Sequence, residues 1–137
     1  MDTNKISAQK QLLAKHLIGR RITTANDGTL TLDDGTSLTL YESAQDCCAA
    51  AFGEWKILDA DRLEAAITNV EYEYSNEEDE EGHRESFCRI TILHNQNLVA
   101  QGDGYANAGN SGYYFSVLSL RIVVGGQIVH DEELISA

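Results

Sequence analysis

Thr29-Leu30-Thr31-Leu32-Asp33-Asp34-Gly35-Thr36-Ser37-Leu38-Thr39-Leu40 decides the class of fold. Its leucines fall at every second position on both sides of Asp-Asp-Gly. A strand places alternate side chains on opposite faces, so this spacing predicts two half-buried strands joined by a tight turn. Asn26-Asp27-Gly28, just upstream, is a second turn signal. It predicts a further strand over Arg21-Ile22-Thr23-Thr24, and two hairpins follow one another within a short span of chain.

Working outward, residues 6–18 change period. Ile6, Gln9, Leu13 and Leu17 share one face of a helix, with Leu12 and His16 beside it and Gly19 at its stop. The N-terminal helical segment is therefore 1–18. Ser43-Ala44-Gln45-Asp46 has the spacing of a capping box and predicts a short middle helix carrying Cys47, Cys48, Ala51, Phe52 and Trp55. Asp61-Arg62-Leu63-Glu64 opens at most one helical turn. From Ile67 the alternation returns, with Val70, Tyr72 and Tyr74 opposite Glu71 and Glu73. Residues 86–94 place Cys88, Ile90, Ile92 and His94 on one face. Leu98-Val99-Ala100 reads as a short strand, Tyr113 to Val124 as a long one, and Gln127 to His130 as its partner across Gly125-Gly126. Hairpins and alternation without βαβ order predict an α+β fold. The N-terminal helix and the short middle helix pack on a bent, mainly antiparallel sheet of six to eight strands.

The chain has 137 residues and 42% hydrophobic content, which predicts a single globular domain over 1–137. There is no apolar run of the ~18 residues that a spanning helix needs, and no signal-peptide pattern at the start. Three cysteines without such a signal predict reduced thiols in a cytoplasmic protein. The formal net charge is −12. Residues 1–21 carry five bases and one acid, and the remaining 116 residues carry five bases and 21 acids. So negative a surface repels phosphate backbones and attracts basic protein patches. The expectation is no direct nucleic-acid contact, no membrane, and a basic protein partner, with a homodimer allowed by exposed strand edges.

Five groups of residues invite chemistry. Cys47, in the first turn of the expected helix, would gain from the helix dipole as a nucleophile, with His16, His83, His94 or His130 as base, although Asp46 opposes the thiolate. The same cysteines serve equally as small buried hydrophobes. Cys47, Cys48, Cys88 and a histidine lack the Cys-x₂₋₄-Cys spacing of zinc sites, and residues 76–85 lack a calcium-loop order, so no metal and no cofactor is expected. The glycine-rich loop Gly102–Gly112 fits neither nucleotide fingerprint. Its Tyr105, Asn107 and Asn110, beside Cys47 and Cys48, are the candidate small-ligand residues, or else the loop is a plain connection. Ser111, Ser116 and Ser119 have no nucleophile elbow around them. The acidic stretch 76–85 reads as a mobile hairpin loop. With Glu71 and Glu73 before it, its Glu77, Glu78, Asp79, Glu80 and Glu81 make a negative ridge suited to a basic groove, or a merely solvated loop.

Five segments together carry a resemblance: LIGRRIT at 17–23, GTLTLDDGTSLTLYES at 28–43, QDCCA at 45–49, LEAAITNVEYE at 63–73 and GYYFSVLSLRI at 112–122. They resemble an uncharacterised small-protein family of tailed phages, prophages and some Gram-positive bacteria. The resemblance implies a phage or prophage origin and carries no activity and no catalytic residue. The function expected is a non-enzymatic acidic interaction protein, in its sharpest form a decoy for a nucleic-acid-binding protein. The alternative is a small-ligand binder or thiol enzyme with a pocket near Cys47, Cys48 and Gly102–Gly112.

Overall fold

A computed structural model describes residues 2–110 and 112–137. Helix α1 (Thr3–Leu17) begins where the Asp2 carboxylate accepts a hydrogen bond from the Lys5 amide at 2.8 Å. It ends before Gly19, whose φ of +87° suits glycine. Gln9, Leu13 and Leu17 are buried, as their spacing predicts.

Nine strands follow: β1 (Ile22–Asn26), β2 (Thr29–Leu32), β3 (Ser37–Gln45), β4 (Ala51–Ile57), β5 (Asn69–Glu78), β6 (Arg84–His94), β7 (Asn97–Asn107), β8 (Ser116–Val124) and β9 (Gln127–Ser136). They make two antiparallel sheets rather than one bent sheet. The five-stranded sheet has the order β1-β2-β3-β8-β9 and the four-stranded sheet the order β4-β7-β6-β5. Leu30, Leu38, Leu120 and Ile122 from the first sheet join Val70, Ile90 and Ile92 from the second in one buried cluster with Leu13 and Leu17. Glycine lets the sheets approach: a Cβ on Gly104 would lie 2.6 Å from both Cys88 Sγ and Leu118 Cδ2. Helix α1 lies against β5 and also reaches β9, with Lys10 3.1 Å from Glu71 and Lys5 3.9 Å from Glu133. It thus bridges an edge strand of each sheet.

The expected middle helix does not form. Ser43 and Asp46 do not cap anything: the Ser43 hydroxyl shares a 2.7 Å hydrogen bond with that of Ser119, and the Asp46 amide donates to the Phe115 carbonyl at 2.9 Å. Asp46 to Ala49 form a turn, and Ala51 to Ile57 form a strand. That stretch alternates, with Ala51 and Trp55 buried and Phe52, Glu54 and Lys56 exposed. The only helical structure in the middle of the described chain is a 3-10 turn, Ala60–Arg62, begun by the Asp59 side chain.

Two expected loops are largely strand. In residues 76–85, β5 and β6 pair without a break from Asn69↔Leu93 to Glu78↔Arg84, leaving a turn over 79–83. The acidic composition obscured an alternation that the neighbouring strand completes. In the glycine-rich segment, Gly102 to Asn107 belong to β7. Gly102 and Gly104 face inward there, where the Trp55 ring and the Cys88 and Leu118 side chains leave no room for a Cβ. Strand β8 starts at Ser116, later than the expected Tyr113, and its partner β9 runs on past the expected His130 to Ser136.

Candidate functional site

The turn between β3 and β4 sets Cys47 and Cys48 side by side on the surface, with their sulfurs 2.9 Å apart. Cys48 has a φ of +77°, in the left-handed region. With no helix here, the dipole that was to activate Cys47 is absent. Its thiol is instead pushed above the usual value, first by its hydrogen bond with Cys48 and further by the Cys48 and Asp46 charges. Cys88 lies buried on β6, where desolvation pushes it up to about 12 and makes it inert.

Cys48 lines a cleft of about 430 Å³ with Tyr105, Asn107 and Asn110, and Glu77, Asp79, His83, Arg84 and Glu85 from the adjoining strands and turn complete it. The structure therefore brings four of the five candidate small-ligand residues together with part of the acidic stretch. Cys47 does not line this cleft. Asn107 is committed to the fold: its Oδ1 accepts from the Ala50 amide at 3.0 Å and the Gly109 amide at 3.2 Å. Asp79 is likewise committed. Its carboxylate accepts from the Glu81 and His83 amides, both at 2.9 Å, and meets His83 Nδ1 at 2.6 Å. The His83 backbone amide leads the causes that hold Asp79 below the usual carboxylate value.

The other acids spread along one edge. Glu71 is paired with Lys10 of α1. Glu73 and Glu77 share the outer face of β5, Glu78 faces the other way, and Glu80 and Glu81 sit at the turn. Among the described residues, Glu73, Glu77, Glu78, Glu80 and Glu85 make no ion pair within 4.0 Å.

Beside these acids lies a patch that sequence reasoning missed. On the outer face of the four-stranded sheet, Phe52, Tyr105 and Phe87 occupy one row across β4, β7 and β6. The Tyr105 ring lies 5.1 Å from that of Phe52 and 5.4 Å from that of Phe87. Phe52 is 61% exposed. The next row holds Glu54, Asp103, Arg89 and Glu73, with Arg89 2.8 Å from Asp103. Together they border a depression of about 490 Å³. The available signal is the period-two spacing of Phe52, Glu54 and Lys56, which the capping-box spacing of Ser43 and Asp46 masks.

The serines hold structure. Ser116 is fully buried and its hydroxyl lies 2.9 Å from the Ala50 carbonyl and 2.7 Å from the Asn107 carbonyl. Ser119 is bound to Ser43. Ser111 lies outside the described residues. Among the described residues no cluster of three His, Cys, Asp or Glu side chains is placed to hold a metal ion, and no helix is long and apolar enough to cross a membrane.

Residues 15–120 match the model of a domain of unknown function, DUF7448. The chain belongs to this family. The DUF7448 match takes in the cysteine turn, the residues lining the cleft and the aromatic row, and leaves β9 and most of α1 outside. No curated protein and no solved structure matches the chain.

Proposed function

We propose that this DUF7448 protein is a non-enzymatic binding module whose acidic, aromatic face takes a basic surface of a partner protein. The observation that carries the reading is the row Phe52, Tyr105 and Phe87 lying beside unpaired carboxylates on one sheet face. Exposed aromatic rings supply contact area at small entropic cost, and their faces attract Lys and Arg cations. The carboxylates Glu73, Glu77 and Glu85 around them steer a positive partner and disfavour a negative one. The net charge of −12 extends that preference over the whole surface. A basic nucleic-acid-binding protein of a phage-infected or prophage-bearing cell is the sharpest form of such a partner, and the resemblance to phage proteins supports that origin. A small-ligand role draws less support, since the Asn107 amide is already spent on Ala50 and Gly109.

The test is titration of the protein with a fluorescent arginine-rich peptide and with its glutamate-rich counterpart, at low and high salt. Binding of the basic peptide alone, weakened steeply by salt, is expected. Phe52→Ala removes an exposed ring and should weaken binding by about tenfold, the scale of a central interface aromatic. Glu73→Gln with Glu77→Gln should reduce both affinity and salt dependence. Equal binding of both peptides, or indifference to all three substitutions, would overturn the proposal.

A further inference from the structure

We propose that Cys47 and Cys48 form a vicinal dithiol that closes reversibly to a disulfide by exchange with a low-molecular-weight disulfide such as oxidised glutathione. Three observations carry this. The sulfurs stand 2.9 Å apart, so each thiol is within reach of the other. Both thiols are exposed, so a small disulfide reaches them, while Cys88 is buried and takes no part. Cys48 holds a φ of +77°, a conformation that disfavours any residue with a Cβ and that is kept because the turn is pinned at both ends. One pin is the Asp46 amide on the Phe115 carbonyl at 2.9 Å, and the other is the Ala50 amide on Asn107 Oδ1 at 3.0 Å.

The chemistry balances in two exchanges. One cysteine thiolate attacks the external disulfide, forms a mixed disulfide and expels one glutathione thiolate. The neighbouring thiolate attacks the cysteine sulfur of that mixed disulfide and expels the second. The two thiols give up two protons and two electrons, and the external disulfide becomes two thiols. The second exchange is intramolecular between groups already in contact, so it outruns reduction by solution thiols. Adjacent Cα atoms stand about 3.8 Å apart across a trans peptide, below the range of unstrained disulfides. The ring is therefore strained and easily reduced, as reversible disulfides are. Cys48 also lines the cleft, so the dithiol lies at its rim.

The experiment equilibrates the folded protein in glutathione buffers of increasing oxidation, traps free thiols by alkylation and reads intact and peptide masses. The expected product has lost two hydrogens, all within the Cys47–Cys48 peptide, keeps Cys88 unmodified and reverts with dithiothreitol. Cys47→Ser and Cys48→Gly each leave one exposed thiol and should stop at a single persistent glutathione adduct. Glycine suits the positive φ, so the second variant keeps the turn. A stable adduct on the unsubstituted protein, a disulfide between two chains, or no reaction where a cysteine peptide reacts, would each overturn the proposal.

Discussion

Gly104 sets how closely the two sheets meet. A Cβ there would press within 2.6 Å of Cys88 Sγ and Leu118 Cδ2, both in the interior. Gly104→Ala is therefore expected to lower stability by about 1–3 kcal/mol, the usual cost of overpacking. Urea unfolding checks it, and an unchanged midpoint would show that the sheets have slack. Tyr72 gives the opposite sign. Its hydroxyl is buried, and its neighbour, the Cys88 thiol, does not meet hydrogen-bond geometry. An unpartnered buried hydroxyl costs about 1–3 kcal/mol, so Tyr72→Phe should be neutral or stabilising in the same measurement. The roles of these two residues could not be read from their neighbours in sequence. Gly104 reads in sequence as part of a glycine-rich loop, and only the packing around it shows why a side chain is excluded there.

At the scale of elements, α1 closes the gap between β5 and β9 through its buried stripe. Leu13 is fully buried. Leu13→Ala should cost about 2–5 kcal/mol, read as a shifted denaturation midpoint. A cost near zero would mean that the helix is only draped on the sheets. His16, on the same helix, is held below the usual imidazole value by burial, then by Lys15 and His130. Its unfolded form binds a proton first, so its contribution is complete above about pH 6.5 and is lost as pH falls through that value toward the folded one. Replacing His16 by Gln should flatten stability between about pH 7 and 5. The helix was legible because its period differs from everything after it. The stretch 43–57 was not, because Ser-x-x-Asp and a run of alanines imitate a helix start, while β8 and β7 supply the pairing that makes it strand.

Across the whole molecule, the surplus of acids acts in two directions. Mutual repulsion opposes folding at neutral pH, yet several carboxylates are held below their usual values: Asp34 chiefly by the Thr36 amide, Glu71 by Lys10, and Asp131 by the Tyr41 hydroxyl. Depressed carboxylates stabilise above their unfolded values of about 4 and stop doing so as pH falls through the folded ones. Denaturation midpoints should therefore drop below about pH 4, where the chain, past its isoelectric point of about 4.5, also gains net positive charge. A midpoint that rises there would mean that these local bonds contribute little. The sequence by itself determined the helix, most strand positions, the hairpin turns and the negative surface, because each follows from local period, turn chemistry or a count of charges. Tertiary structure alone decided that there are two sheets, that Phe52, Tyr105 and Phe87 share a wet face, that Asn107 is spent on backbone, and that Cys47 and Cys48 touch in a pinned turn. Alternation marks two faces of a strand but not which one another sheet will cover. That choice is made by pairings such as β3 with β8 and β4 with β7, between segments far apart in the chain.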